Sequence, residues 1–500
     1  MTHIFLYGPA GSGKSTIGRA LAQNLRLPFF DSDQVLEQNA GKTIPQIVAE
    51  QGMPAVRDLE TNGLKQIVNS SESVIALGGG ALLRDENRTL VEQRGRVILL
   101  SAELPTLIER LRNDPNERPL LAGDLESKLR AYLAGRADHY ASFPFKVRVD
   151  GKSIEQSAHY IQILLGRHHL SAMGAYDVCV GQIGNIPIGN IIVTDENIAR
   201  HHLDKIKQAV GHDILSIIIP AGEEHKNLET VSQLWKSFLD NGLDRKSTVI
   251  ALGGGVIGDL TGFAAATYMR GISWIGIPTT LLSMVDASLG GKTGFDLPEG
   301  KNLIGSFHPP KLVLADPSLL LTLSDRELRS GMAEVVKHGI LSDPELFELC
   351  SRGMDWVKEH LEEIVKRAMA VKIKVIEEDP YEKGFRAALN LGHTVGHAVE
   401  LVSKFGLRHG EAIAIGTVVE ARYAEQIGIA SKGLADKIAQ TISGLGLSTH
   451  IPDELPRGEI IRAMRVDKKK SAKAIRFALP VEIGRVELVE VSDLESVLEE

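Results

Sequence analysis

A glycine-rich turn at residues 8–16 lies between an apolar run and a helical pattern, and it limits the possible folds more than any other feature. It reads Gly-Pro-Ala-Gly-Ser-Gly-Lys-Ser-Thr and matches G-x-x-x-x-G-K-[ST]. Residues 4–6 before it predict a buried strand, and the residues from Ser15 onward predict a helix. In such a turn backbone N–H groups and the helix N-terminus hold phosphates, Lys14 reaches the β- and γ-phosphates, and Ser15 binds Mg²⁺. The predicted nucleotide-binding residues are Gly11, Ser12, Gly13, Lys14, Ser15 and Thr16.

Length and composition favour a globular chain with several domains. A chain of 500 residues predicts roughly two to four domains. Hydrophobic residues make up 43% and charged residues 24%, and no apolar run approaches the ~20 residues that span a bilayer. The net charge of −8 argues against nucleic-acid binding, and the two cysteines suit a reducing compartment. We therefore expect a cytoplasmic protein that binds neither nucleic acid nor membrane.

The order of apolar runs and helical patterns predicts the α/β class. Residues 1–165 alternate short apolar runs with helical patterns, which is typical of a parallel sheet flanked by helices. A second α/β block has predicted strands at 191–193, 217–219, 249–252 and 275–277, and helical patterns dominate from about residue 320. We predict four segments: a nucleotide-binding domain at 1–165, a linker at 166–175, a Rossmann-like domain at 176–320 and a mainly helical domain at 321–500.

Charged residues downstream of the first turn indicate an acceptor site. Asp31 and Asp33 follow an apolar run, so two carboxylates lie at the end of a predicted strand, although such a pair is also typical of a helix cap. Arginines bind carboxylates and phosphates through two parallel hydrogen bonds. Arg57, Arg118 and Arg136 are therefore candidates for an arginine clamp on an acceptor carboxylate, and Arg118 could also close over a phosphoryl group from a lid.

In these motifs residues 1–165 resemble shikimate kinase. The resemblance implies that ATP with Mg²⁺ phosphorylates shikimate, with Asp33 as the hydroxyl ligand and base. The other implied roles are a carboxylate clamp of Arg57 and Arg136, a pocket lined by Gly78, Gly79 and Gly80, a lid residue Arg118, and Mg²⁺ support from Asp31.

Two positions depart from the shikimate kinase pattern. Val56 stands where the family usually has an aromatic residue, and Met53 stands where an acidic residue is common, which predicts altered packing near the acceptor. The alternative to a kinase is a regulatory module that binds ATP without transferring phosphate. Such a module needs no acceptor clamp, so Asp33, Arg57 and Arg136 favour the kinase.

Four polar residues in the second half are spaced four, three and four apart: Arg386, Asn390, His393 and His397. A single helix through them would place all four on one stripe. The residues between them are largely apolar, so we expect a buried helix whose polar stripe contacts a metal or an anion.

Glu334 and His409 complete a possible metal site. Glu334 lies three residues before Lys337 on a predicted helix, and His409 precedes the apolar run at 412–419. One glutamate and two histidines would leave zinc an open position for substrate, as a catalytic site requires. The spacing leaves open whether His393 or His397 is the ligand.

A second glycine turn, Gly253-Gly254-Gly255, ends another predicted buried strand and indicates a dinucleotide site. Polar pairs follow the neighbouring predicted strands: Asp195 with Asn197, Glu223 with Lys226, and Thr279 with Thr280. Lys292 lies among glycines at 286–294, and together with Lys301 and Asn302 it suits a substrate phosphate.

Residues 176–500 resemble 3-dehydroquinate synthase, with matching stretches at 253–271, 277–294, 331–337, 390–400 and 409–411. The resemblance implies that Glu334, His393 and His409 bind zinc or cobalt. The implied NAD contacts are Asp195, Asn197, Glu223, Lys226, Gly254, Gly255, Val256, Asp259, Thr279, Thr280, Lys292 and Lys301. The implied substrate contacts are Arg270, Asp286, Lys292, Asn302, Lys337, Lys372, Arg386, Asn390 and His397, with Lys468 or Lys469.

The two resemblances together imply a bifunctional shikimate-pathway enzyme. Its second half would convert 3-deoxy-D-arabino-heptulosonate 7-phosphate to 3-dehydroquinate and phosphate, with NAD⁺ regenerated, and would form a homodimer. One alternative is another sugar-phosphate cyclase. Another is a metal-dependent alcohol dehydrogenase, which would accumulate NADH and would not need Lys292, Lys301 or Lys337. Pro309 replaces a usual glutamine, and we expect no loss of activity from it.

Overall fold

The computed structural model of the chain describes residues 2–113, 124–186, 188–467 and 474–499. The chain divides into two compact units, Met1–Arg167 and His168–Glu500. The segment 166–175, which we predicted as a linker, contains strand β6 (Arg167–Leu170). Residues 168 and 170 of this strand are buried, but only Leu170 is apolar, so the hydropathy pattern did not reveal the alternation.

The first unit has a five-stranded parallel sheet with the order β2-β3-β1-β4-β5. Its strands are β1 (His3–Tyr7), β2 (Phe29–Asp31), β3 (Val74–Ala76), β4 (Gly95–Ser101) and β5 (Phe145–Arg148). Its helices are α1 (Lys14–Leu25), α2 (Ser32–Ala40), α3 (Ile44–Ile67), α4 (Asp85–Arg94), α5 (Leu104–Arg112), α6 (Leu125–Ala134), α7 (Ala137–Ala141) and α8 (Ile154–Leu165). The predicted parallel sheet flanked by helices is confirmed.

The central strand β1 explains where the first site lies. Every residue of β1 is buried, with Ile4 and Leu6 in one hydrophobic cluster and Phe5 and Tyr7 in another. Successive side chains of a strand point to opposite faces, so β1 contributes to the core on both sides of the sheet. The phosphate-type turn follows β1 directly, and ligands of such sheets bind beyond the carboxyl ends of the strands.

The second unit has a seven-stranded sheet with the order β6-β7-β14-β11-β10-β8-β9, parallel from β7 to β9. Its other strands are β7 (Tyr176–Val180), β8 (Ile191–Asp195), β9 (Leu215–Ile219), β10 (Thr248–Gly253), β11 (Ser273–Pro278) and β14 (Leu312–Ala315). The helices between them are α9 (Glu196–Val210), α10 (Leu228–Asp240) and α11 (Gly255–Thr267). A hairpin of β12 (Lys292–Leu297) and β13 (Gly300–Phe307) precedes β14.

The rest of the second unit is mainly helical, as predicted. Its helices are α12 (Asp325–Ser342), α13 (Pro344–Cys350), α14 (Met354–Glu359), α15 (Leu361–Glu378), α16 (His393–Val402), α17 (His409–Gln426), α18 (Leu434–Gly444) and α19 (Arg457–Asp467). A hairpin of β15 (Ile475–Glu482) and β16 (Arg485–Val491) follows. In the part of the chain that the structure describes, no helix has both the length and the apolar character of a membrane span.

The expected single helix through residues 386–397 is wrong. Residues Phe385–Asn390 form a 3₁₀ helix, and α16 begins only at His393, after Gly392 with φ 78°. The reason is a contact from α17: the carboxylate of Glu420 accepts hydrogen bonds from the backbone N–H groups of Gly392 at 2.6 Å and Val395 at 3.3 Å. A buried anion at the first turn stabilises a helix start at this position.

Glycines let α16 and α17 approach closely. A Cβ added at Gly416 would lie 2.1 Å from the carbonyl oxygen of Gly392, and one added at Gly396 would lie 2.8 Å from the Cδ1 of Ile413. Any side chain at these positions would push the helices apart. The approach brings the histidines at the start of α16 next to His409 at the start of α17.

Candidate active sites

The phosphate-type turn of the first unit adopts the predicted arrangement between β1 and α1. Gly11 and Gly13 have φ angles of 81° and 86°, which other residues adopt only with strain. The Nζ of Lys14 donates to the carbonyl oxygens of Gly8 and Pro9, both at 3.0 Å, so the ammonium group lies over the turn. The Oγ of Ser15 donates to Asp31 Oδ2 at 2.6 Å, which links the predicted Mg²⁺ ligand to its predicted support.

The predicted acceptor residues converge on the turn at 78–80, after β3. A Cβ added at Gly78 would lie 2.4 Å from Asp33 Oδ1, and one added at Gly80 would lie 2.2 Å from Arg57 Nη2. The guanidinium of Arg136 donates to the carbonyl oxygen of Gly79. One carboxylate and two arginines therefore surround a glycine turn, an arrangement that can hold a small molecule carrying hydroxyl and carboxylate groups.

Two neighbours of these arginines were missed by the sequence reasoning. Glu60 is buried and its Oε2 lies 2.5 Å from Arg57 Nη1, and the spacing of three on a helix could have revealed this pair. Tyr132 donates to the Gly79 carbonyl at 3.2 Å, and the Arg136 guanidinium stacks 3.9 Å from the centre of its ring. The predicted lid residue Arg118 lies outside the described residues.

The two departures from the kinase pattern lie in or beside a kink of α3. Gly52 has a non-helical φ of 79° inside α3, directly before Met53. Val56 is buried in a hydrophobic cluster with Leu36 and Ile47. The aliphatic side chain at 56 therefore packs into a small core and does not interrupt the pair of Arg57 and Glu60.

In the second unit three elements bring together the predicted metal ligands. Glu334 is completely buried on α12, and its Oε1 lies 3.5 Å from the Nε2 of His393 and 3.7 Å from the Nε2 of His409. Within the residues that the structure describes, this Oε1 has no hydrogen-bond partner. A buried carboxylate oxygen facing two imidazole nitrogens fits a divalent cation with nitrogen and oxygen ligands.

The electrostatics of this cluster follow from burial and close charges. Burial alone would raise the pKa of Glu334, but Lys337, which forms an ion pair with it, and the two histidines hold the pKa well below its usual value. Burial and Lys337 lower the pKa of His393 to about 3. Burial opposes protonation of His409, but the nearby carboxylates of Glu334 and Glu400 raise its pKa to about 9.

His397 lies beside the cluster. Its ring centre is 5.0 Å from that of His393 and 5.6 Å from that of His409. The three histidines also form a possible metal-binding group by themselves. The contacts of Glu334 with His393 and His409 favour the set that includes the carboxylate.

Charged side chains, some buried and some exposed, lie around the predicted substrate position. Lys372 is buried, forms an ion pair with Asp286 and donates to the Asp286 carbonyl oxygen at 2.7 Å. Burial alone would raise the pKa of Asp286, but Lys372 lowers it to about 2. Arg386 is buried beside Gly290, and Lys292 lies 3.1 Å from Glu382. Cations of this kind suit a phosphorylated, carboxylate-bearing substrate.

The glycine turn after β10 forms the predicted dinucleotide side. Gly254 precedes α11, and a Cβ added to it would lie 3.3 Å from the Cγ2 of Thr280. The buried Nζ of Lys226 lies 2.7 Å from both Asp259 Oδ2 and Asn302 Oδ1, which ties the start of α11 to the β12–β13 hairpin. Asp195 caps α9 by accepting the N–H groups of Asn197 and Ile198, both at 2.9 Å.

The structure does not place every predicted site residue in these contacts. Arg270 is exposed in the 3₁₀ turn Tyr268–Arg270, with φ 70°. Lys468 and Lys469 lie outside the described residues. Glu400 was missed although it contacts His409, because no sequence pattern links residue 400 to the ring nitrogen of residue 409.

The first unit has a phosphate turn beside an acceptor pocket with two arginines, which defines a small-molecule kinase. The second unit has a glycine turn and a cluster of glutamate and histidines, which define a dinucleotide- and metal-dependent synthase. Family models for the 3-dehydroquinate synthase N-terminal and C-terminal regions match residues 216–330 and 331–470, and the shikimate kinase model matches 10–165. The chain belongs to the 3-dehydroquinate synthase family and carries a shikimate kinase domain. The predicted bifunctional enzyme of aromatic biosynthesis is confirmed.

Relatives and solved structures support this assignment. The 3-dehydroquinate synthase of Nostoc punctiforme is 44% identical over 318 residues, covering 61% of this chain and 87% of the relative. A 2-deoxy-scyllo-inosose synthase complexed with carbaglucose-6-phosphate, NAD⁺ and Co²⁺ is 26% identical, with TM-score 0.60, over 66% of this chain and 99% of that chain. A 2-epi-5-epi-valiolone synthase from Streptomyces hygroscopicus with NAD⁺ and Zn²⁺ is 28% identical, with TM-score 0.59, over 64% and 94%. The predicted cofactors agree with these comparisons.

Proposed function

We propose that the first unit phosphorylates shikimate from ATP·Mg²⁺ and that the second converts 3-deoxy-D-arabino-heptulosonate 7-phosphate to 3-dehydroquinate with NAD⁺ and Zn²⁺ or Co²⁺. The observation that carries the kinase assignment is the convergence of Asp33, Arg57 and Arg136 on the glycine turn at 78–80. The observation that carries the synthase assignment is the buried Oε1 of Glu334 facing two histidine Nε2 atoms.

In the kinase unit the side chains would act mainly by positioning. Arg57 and Arg136 would hold the shikimate carboxylate, and Asp33 would orient the acceptor hydroxyl and accept its proton as phosphate transfers. Lys14 would leave the carbonyls of the turn to bind the β- and γ-phosphates, and Ser15 would bind Mg²⁺. The pairing of Glu60 with Arg57 supports a fixed guanidinium plane at the clamp.

The kinase assignment is tested with Asp33→Ala in the full-length protein. We expect loss of phosphoryl transfer to shikimate while ATP binding stays within about twofold, because Asp33 contacts the acceptor side. Lys14→Ala is the matched variant that should lose ATP binding. Transfer at the normal rate by Asp33→Ala would contradict the proposed base.

In the synthase unit Glu334, His393 and His409 would hold the metal ion. When bound, the metal would polarise a substrate hydroxyl and NAD⁺ would take and return a hydride, chemistry that side chains do not supply. Lys292, Lys372 and Arg386 would bind the charged groups of the substrate. Further proposed substrate contacts are Arg270, Asp286, Asn302, Lys337, Asn390 and His397.

The dinucleotide would lie along the glycine turn after β10. Gly254 and Gly255 leave room for the close approach of a pyrophosphate, and the N-terminus of α11 points its free N–H groups toward it. Lys226 supports this arrangement by holding Asp259 and Asn302 together. The other proposed NAD contacts are Asp195, Asn197, Glu223, Val256, Thr279, Thr280, Lys292 and Lys301.

The synthase assignment is tested by incubating the metal-loaded protein with 3-deoxy-D-arabino-heptulosonate 7-phosphate and catalytic NAD⁺. We expect release of inorganic phosphate without net NADH, because the cofactor returns its hydride. Stoichiometric NADH would instead identify a dehydrogenase. Phosphate release only from another sugar phosphate would identify a related cyclase.

The remaining proposals concern organisation. We propose domains at 1–165, 176–320 and 321–500, a homodimer formed through the synthase half, and a cytoplasmic location. The division of the chain near residue 167 supports the first boundary. Sedimentation of the full-length protein tests the dimer, and a mass equal to one chain at micromolar concentration would refute it.

A further inference from the structure

A carboxylate beside the metal cluster has no role in the reaction as proposed above. Glu400 lies on α16, two helical turns after His393, and only 12% of its side chain is exposed. Its Oε2 accepts a hydrogen bond from the Nδ1 of His409 at 3.2 Å, and its Oε1 lies 3.7 Å from the Nζ of Lys301. One carboxylate oxygen of Glu400 therefore contacts a proposed metal ligand, and the other lies near a lysine of the β12–β13 hairpin.

The contact decides which nitrogen of His409 is available. An imidazole binds a metal through one nitrogen, and a hydrogen bond at the other nitrogen sets the tautomer and the ring orientation. With Nδ1–H held by Glu400, the Nε2 of His409 remains for the metal, and this Nε2 is the atom 3.7 Å from Glu334 Oε1.

His393 has the same arrangement with a different acceptor. Its Nδ1 lies 3.1 Å from the carbonyl oxygen of Leu391, and its Nε2 lies 3.5 Å from Glu334 Oε1. Both histidines thus direct Nε2 toward one carboxylate oxygen. A backbone carbonyl orients one ring, and a charged carboxylate orients the other.

Lys301 supplies the second charge partner of Glu400. Its Nζ lies between Glu400 and Glu223, which is 3.8 Å away, and 4.6 Å from the ring centre of Phe405. A mostly buried carboxylate is retained only when its charge is compensated, and Lys301 and His409 provide that compensation from two sides.

We propose that Glu400 is a positioning residue of the metal centre, which fixes the ring of His409 for coordination through Nε2 and connects that ligand to Lys301. This inference rests on the proposed ligand set of Glu334, His393 and His409. Glu400 touches neither substrate nor cofactor in this role. Substitution of Glu400 should therefore weaken metal binding directly and should lower the turnover rate only because less metal is bound.

The test compares Glu400→Ala and Glu400→Gln in the full-length protein. Zinc affinity is measured by competition with a chromogenic chelator, and the Co²⁺ form is examined by its visible spectrum. We expect Glu400→Ala to weaken metal binding by about 10–100-fold and to change the Co²⁺ spectrum. Glu400→Gln keeps an acceptor for Nδ1 without the charge, so its loss should be smaller. The matched control is Glu378→Gln at an exposed position of α15, which should bind metal like the wild type.

Glu334→Gln separates this inference from the function on which it rests. Unchanged metal affinity in Glu334→Gln would refute the ligand set itself. Loss of metal in Glu334→Gln together with wild-type affinity and spectrum in Glu400→Ala would refute only the role of Glu400. If Glu400→Ala does not unfold cooperatively, Glu400→Gln decides, and affinity equal to that of Glu378→Gln would overturn the proposal.

Discussion

The crossing of α16 and α17 offers a sharp test of how packing determines the metal site. A methyl group at residue 416 would lie 2.1 Å from the carbonyl oxygen of Gly392 and 2.7 Å from the N of Gly396, where ordinary contact begins at 3.4 Å. The start of α16 must therefore retreat by about 1.3 Å to accept Gly416→Ala. His393 is the next residue after Gly392, so it moves with this end of the helix.

A displacement of that size is large for coordination. Metal–ligand distances vary by only about ±0.2 Å, so after this displacement His393 should no longer reach the metal ion that Glu334 and His409 bind. We expect Gly416→Ala to weaken zinc binding by at least about 10-fold and to cost about 1–3 kcal/mol of stability through overpacking. The chelator competition described above measures the first effect, and thermal unfolding of the metal-free protein measures the second.

The matched control is Gly444→Ala near the end of α18. A Cβ added there meets no heavy atom within 4 Å among the described residues, so zinc affinity should not change and stability should be equal or slightly higher. Wild-type zinc affinity and unfolding temperature in Gly416→Ala would refute the argument that close helix packing sets the ligand positions.

Three further predictions concern single side chains. His393→Ala should lose bound zinc, whereas His397→Ala should retain zinc and lose turnover, as measured by metal content and phosphate release. Glu60→Gln should raise the KM for shikimate more than it lowers kcat, because it loosens the arginine beside it; an unchanged KM would contradict this. Asp316→Asn should destabilise the second unit by about 1.5–3 kcal/mol at pH 7, since its buried carboxylate accepts two backbone N–H groups and a lysine. Burial alone would raise the pKa of Asp316, but its hydrogen bonds hold the pKa below its usual value. The stability that the ionised carboxylate contributes is therefore complete above the pKa of the unfolded state and is lost as the pH falls through the pKa of the folded state. The difference between the variant and the wild type, measured by urea unfolding, should therefore shrink below about pH 4.

Local sequence patterns determined the features that depend on near neighbours. The turn at 8–16 required its glycines, because its backbone takes positive φ angles where Cβ atoms are strained. Glu334 and Lys337 share a helical face because residues three apart always do. The buried strands before both glycine turns were visible as apolar runs, since strands of parallel sheets are covered on both faces.

Tertiary structure decided what depends on distant contacts. The pattern from Arg386 to His397 fits one helix, but Glu420 and the close approach of α17 start the helix at His393. Spacing could not choose between His393 and His397, because the choice depends on how α12 places Glu334. The partner of His409 lies on another helix, and no local rule pairs residues across a helix crossing. The sequence thus determined the residue types and the local turns of both sites. Packing of the helices determined which side chains face each other, because burial and charge compensation depend on contacts between residues that are far apart in the sequence.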